Sequence, residues 1–138
     1  LEDHLRALRT PLQVSALGRP VVLATLPDEL HSLGLQIAAL AIAASGRSVH
    51  VLGPHLPGDE IVHAAETLGA AAVGLSVSLF APEEQTLAAV SAMRSALPAA
   101  IELWVGGAGA AKLGQMPEGV LATPTLDELD GALARLER

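Results

Sequence analysis

Apolar residues in this chain gather into short, nearly unbroken runs, separated by longer stretches in which they return every three or four positions. The runs, rich in Val, Leu and Ala, predict strands over residues 21–25, 48–52, 71–77, 102–105 and 120–122. The stretches between them predict helices over 33–45, 58–68, 82–97 and 126–136, with a short turn over 110–113. Gly or Pro marks each change of period. Pro57 and Pro82 stand at helix starts, where a missing N–H costs little, and Asp59-Glu60 and Glu83-Glu84 fall in first turns, where the helix dipole favours acids. Strands that are continuously apolar and not alternating belong to a parallel sheet covered on both faces. Five βα units predict an α/β fold: a flavodoxin-like, doubly wound, five-stranded parallel sheet with helices on both faces. Right-handed crossovers then bring the loops 26–34, 53–57, 76–81 and 106–109 to one edge of the sheet.

Two segments depart from this pattern. Leu1, Leu5 and Leu8 share one helical face, but residues 10–18 carry no strong period. Residues 1–18 are therefore read as a helix and linker, either docked on the domain or ending an upstream one, and 19–138 as the main domain. The helix over 33–45 has almost no polar face, so it is expected to be covered by ligand and sheet together or by a partner domain or subunit.

Composition narrows the classes. At 138 residues and 51% hydrophobic, the chain suits one domain with a real core. Phe80 and Trp104 are its only aromatic residues, so that core is aliphatic. A formal charge of −7 and the lack of a basic stripe argue against this chain gripping nucleic acid by itself. No Cys is present, which leaves His and carboxylates as the strong metal ligands and points to the cytoplasm. The longest apolar run is about 11 residues, short of the roughly 20 that span a bilayer, so no membrane association is expected. A chain that begins with Leu1 and not Met reads as a fragment or processed piece of something longer.

The candidate chemistry lies in the first strand-to-helix loop, where Glu29, His31 and Gly34 follow the strand. An imidazole with a carboxylate two residues before it can bind a metal through one ring nitrogen while the acid holds the other. Glu29-x-His31-x-x-Gly34, then Gly53 after Val51-Leu52, then Ser76-Val77-Ser78, then Gly106-Gly107, resembles the signature of cobalamin (vitamin B12) binding domains, Asp-x-His-x-x-Gly, Ser-x-Leu and Gly-Gly. The match spans nearly the whole chain. Its detail, Leu26-Pro27-Asp28-Glu29-Leu30-His31-Ser32-Leu33-Gly34-Leu35 and Leu52-Gly53-Pro54-His55-Leu56-Pro57, is most similar to the cobalamin domains of MerR-type, light-responsive transcription regulators.

The resemblance implies that His31 replaces the cofactor's own benzimidazole as lower ligand to cobalt, with Glu29 as its orienting acid. It further implies that Ser32, Gly34, Leu35, Gly53, Ser76, Ser78, Gly106, Gly107 and Thr123 surround the cofactor. Adenosylcobalamin is the form expected, with methyl- or hydroxocobalamin as alternatives. Two positions depart from the pattern. Glu29 stands in place of Asp, one methylene longer but still able to reach the distal nitrogen, and Ser78 replaces an apolar Leu. Independently of any family, a flat macrocycle must rest on the strand-end surface for a loop side chain to reach its metal. A displaced nucleotide tail needs a deep slot along the sheet, which Gly106-Gly107 leave room for.

The remaining candidates have plainer readings. His4 and His63 read as solvated, His50 as packed within a strand, and His55 as a loop residue facing water. Glu83-Glu84 and Asp127-Glu128 are dipole-matched helix starts. Three functions follow from different classes. The leading one is a cobalamin-sensing domain, not an enzyme, that controls assembly and DNA binding through upstream helical and DNA-binding domains or subunits; a homo-oligomer suits it. The second is a corrinoid methyl carrier or mutase cobalamin subunit. The third is a flavodoxin-like module that binds no corrinoid. Photoreceptor behaviour, implied by the resemblance, depends on the upper ligand and its covering domain.

Overall fold

A computed structural model describes residues 17–27, 33–53 and 56–136. Five strands, β1 (Leu17–Ala24), β2 (Arg47–Val51), β3 (Ala72–Ser76), β4 (Glu102–Gly106) and β5 (Val120–Thr123), form one sheet in the order β2-β1-β3-β4-β5. Every neighbouring pair is parallel. Four helices connect or follow them: α1 (Leu33–Ala44), α2 (Gly58–Leu68), α3 (Glu83–Ala96) and α4 (Leu126–Leu136), with a 3-10 turn over Ala111–Leu113. This is the doubly wound arrangement expected from the alternating pattern, and its strand order reverses between β1 and β3.

The boundaries differ slightly from those expected, for local reasons. β1 begins at Leu17 and pairs with Arg47 across a register shift before Val21. Helix α3 stops at Ala96, because Leu97 precedes Pro98 and takes an extended conformation (ψ 140°). Pro57 and Pro82 are the capping residues just outside α2 and α3, both extended, and Gly69 closes α2 in the left-handed region (φ 63°) while its N–H reaches the Ala65 and Glu66 carbonyls. His4 and His55 lie outside the described residues; His63 is exposed, as expected, whereas His50, expected to be packed within its strand, is exposed on β2.

The sheet separates two cores. On one face Val22, Val73, Leu75, Leu103 and Val105 pack against Ile61 and Val62 of α2 and Val90 and Met93 of α3. On the other, Val21, Leu23, Ala72 and Trp104 pack against Leu35, Ala39 and Ile42 of α1 and Leu129 and Leu133 of α4. Because side chains alternate across a strand, Leu23, Gly74 and Trp104, which are in register across β1, β3 and β4, share the α1–α4 face. Among the described residues no helix is long and apolar enough to cross a membrane.

Candidate functional site

Over the α1–α4 face, at the carboxyl ends of the strands, lies a cavity of about 190 Å³. Its floor is the row Leu23, Gly74 and Trp104; its rim, two residues further along the strands, is Ser76, Gly106 and Thr123. Two residues of strand put the rim about 6 to 7 Å above the floor. Helix α1 contributes Gly34, Leu35, Ile37 and Ala38 to one wall, and Leu126 and Leu129 of α4 contribute to the other. The cavity therefore sits where an open α/β sheet binds ligands, beside the reversal in strand order.

Missing side chains let its floor and rim pack closely. An added Cβ at Gly74 would fall 2.6 Å from Leu23 Cδ2, so the glycine lets the Leu23 side chain lie across the floor. Gly107 has φ +90°, a conformation that L residues rarely adopt, and a Cβ there would lie 2.6 Å from the Val77 carbonyl oxygen. The Gly107 loop is laced to β3 by hydrogen bonds: Val77 N–H donates to the Gly106 oxygen (2.9 Å) and Gly109 N–H to the Val77 oxygen (2.8 Å). A side chain at Gly34 would stand 3.3 Å from Ser76 Oγ, so the start of α1 and the end of β3 approach closely at the rim.

The lining is mostly apolar, and its polar groups are unevenly placed. Ser76 and Thr123 offer hydroxyls at the rim, Thr123 being buried. Thr125 also lines the rim, but its Oγ1 caps α4 by accepting the Glu128 N–H at 3.2 Å. Trp104 is 1% exposed, and its Nε1–H donates to Glu102 Oε1 at 3.0 Å, an oxygen that also receives Arg135 at 3.0 Å. A buried indole with its N–H already engaged behaves as an apolar wall.

Of the residues singled out in the sequence, Gly34, Leu35, Ser76, Gly106, Gly107 and Thr123 come together in this cavity. Glu29, His31 and Ser32 lie outside the described residues, which resume at Leu33 beside the α1 wall. Gly53 (φ 103°) and Ser78 stand at the same sheet edge but not in the cavity lining. Gly53 belongs to the loop after β2, which Leu56 ties to β1 by donating to the Thr25 oxygen at 3.0 Å. Ser78 turns its Oγ to accept the Phe80 N–H at 3.2 Å, so the hydroxyl that replaces the expected Leu serves a loop turn. The pattern reading missed Gly74, Trp104, Ile37, Ala38 and Leu129. Only Gly74 carried a legible signal: a glycine inside an apolar strand marks close approach of something else.

Comparison with known proteins bears on this cavity. The model of the B12 binding domain family matches residues 19–127. The HTH-type transcriptional repressor CarH of Myxococcus xanthus is 37% identical over 101 residues, which is 72% of this chain and 34% of the repressor. The chain thus spans about a third of that relative's length. Two solved structures share the fold at lower identity. A cobalamin-binding protein from Desulfitobacterium hafniense DCB-2 is 23% identical with a TM-score of 0.66, covering 99% of this chain and 71% of its own. The monomethylamine corrinoid protein of Methanosarcina barkeri is 14% identical with a TM-score of 0.68, covering 95% and 63%.

Proposed function

We propose, from the premise that the chain belongs to the B12 binding domain family, that it holds cobalamin with the cofactor's own base detached and His31 as lower ligand to cobalt. The observation that carries this reading is the cavity between α1 and α4, a glycine-lined cleft at the sheet edge whose wall includes Gly34 and Leu35, three and four positions after His31 in the chain. Its size fits a detached base: an apolar cavity of roughly 150 Å³ admits benzene, and about 190 Å³ open at the rim suits a two-ring base. At Gly74 and Gly107 the missing side chains admit Leu23 and the Val77 backbone, and this close packing shapes the floor and rim that such a group would meet.

In this reading His31 supplies one ring nitrogen to the metal and Glu29 accepts the N–H of the other, fixing tautomer and direction. Ser76 and Thr123 offer hydroxyls to the sugar and phosphate of the tail at the rim, while Gly106 and Gly107 let the tail run against backbone. Ser32, Gly34 and Leu35 flank it at the start of α1, and Gly53 and Ser78 meet the macrocycle edge from neighbouring loops. When bound, the cofactor supplies cobalt–carbon chemistry, and the protein supplies its position and surroundings.

The chain itself catalyses nothing in this reading; it is the cofactor-sensing domain of a cytoplasmic MerR-type regulator, residues 19–138 forming the domain and 1–18 its link to helical and DNA-binding domains. The 37% identity to a helix-turn-helix repressor supports this over the alternatives. Adenosylcobalamin as the bound form would make the regulator a photoreceptor, light changing the upper ligand and hence assembly, including that of a homo-oligomer. A corrinoid methyl carrier is the second reading. It draws on the fold shared with the corrinoid protein of Methanosarcina barkeri. A helix-turn-helix encoded in frame upstream supports the regulator; a methyltransferase encoded alongside supports the carrier.

Absorption spectra of the protein with adenosyl-, methyl- and hydroxocobalamin, before and after illumination, test the reading. A spectrum characteristic of nitrogen ligation that is lost in His31→Ala is expected. If His31→Ala gives the parent spectrum, the ligand assignment fails.

A further inference from the structure

We propose that the α1–α4 cavity selects among cofactor bases, favouring a benzimidazole whose leading edge carries only apolar substituents, such as the two methyl groups of cobalamin's own base, over one with a polar group there. The inference rests on the cobalamin reading above and concerns only which tail the cleft accepts.

The argument comes from where polar partners are found. A base entering from the sheet edge passes Ser76 and Thr123 at the rim and ends against Leu23, Gly74 and Trp104 at the floor. Among the described residues, the polar groups at that depth are already engaged. Backbone groups of Gly74 lie in the ladders to β1 and β4, and the Leu23 oxygen accepts the Leu52 N–H at 2.9 Å. The Trp104 N–H is engaged with Glu102 at 3.0 Å. The buried helix residues that line the cavity are Leu35 and Leu129. A hydroxyl carried to the floor therefore loses water without gaining a partner, whereas a methyl group of the same size gains contact with apolar side chains.

The comparison that isolates this effect uses cobalamin, the cobamide bearing 5-hydroxybenzimidazole, and cobinamide, which lacks the nucleotide, all with the same upper ligand. The first two share the ring that coordinates cobalt, so the intrinsic cost of detaching it is similar and the difference reports the floor. Trp104 is the chain's single tryptophan, and its emission can be followed during each titration. Cobalamin is expected to bind about tenfold to a hundredfold more tightly than the hydroxybenzimidazolyl cobamide, the range in which an apolar pocket rejects an added hydroxyl, and cobinamide is expected to bind more weakly than cobalamin. Equal affinity for the two complete cobamides overturns the selectivity while leaving cobalamin binding intact. A hydroxybenzimidazolyl cobamide that binds more tightly than cobalamin overturns it too. If none of the three binds, the cobalamin reading itself has failed.

Discussion

At the scale of single residues, the proposed chemistry depends on two side chains at the head of α1 and on atoms that are missing further along the chain. Glu29→Gln keeps the shape but weakens the hold on the imidazole, and cobalamin affinity is expected to fall about 10-fold to 100-fold by equilibrium titration; unchanged affinity means Glu29 does not orient the ring. Ligation needs neutral imidazole, so affinity is also expected to weaken as pH is lowered through the ordinary imidazole range, about 6.5. A nitrogen-ligated spectrum that persists undiminished well below that range counts against ligation by His31. The glycines differ in how readable they were. Gly106-Gly107 stood out as a pair, and the positive φ of Gly107 gives its physical reason. Gly74, a glycine inside an apolar strand, signalled a close approach, and the position of Leu23 Cδ2 shows that it is Leu23 which approaches.

Elements decide what the residues can do together. Helix α1 looked apolar on every side, and its packing divides that surface: Leu35, Ala39, Ile42 and Ala43 face the core, Ile37 and Ala38 face the cavity, and Leu33 and Ile37 are each 39% exposed. The sheet covers one side of this helix, and the cavity lies against Ile37 and Ala38. Gly34→Leu places a side chain against Ser76 at the α1–β3 approach, and is expected to lower cobalamin affinity tenfold or more while leaving cobinamide binding unchanged; equal losses for both ligands would mean that it disturbs more than the tail cleft. At the opposite wall, Thr125 and Glu128 form a capping pair that the sequence reading took only as dipole-matched acid. Thr125→Ala is expected to cost about 1 kcal/mol of stability, measurable by denaturant unfolding; no loss would mean the cap contributes nothing.

For the whole molecule, the expected outcome concerns coupling. In a regulator of the proposed kind, His31→Ala is expected to abolish any cobalamin-dependent change in oligomeric state measured by size-exclusion chromatography, and a response that survives the substitution would detach regulation from cobalt ligation. The order of elements, the parallel character of the sheet and the edge where its loops gather were all determined by the sequence, because hydrophobic period and Gly or Pro punctuation are local and crossover handedness leaves few topologies. The motif spacing likewise determined the family. Only the tertiary structure decided which of the edge residues enclose a common space, bringing Ser76, Gly106, Gly107 and Thr123 around the cavity while Gly53 and Ser78 serve neighbouring loops. It also decided that Leu23, Gly74 and Trp104 form an apolar floor, since strand register and the distance between α1 and α4 are set by packing among residues far apart in the chain, which no local pattern encodes.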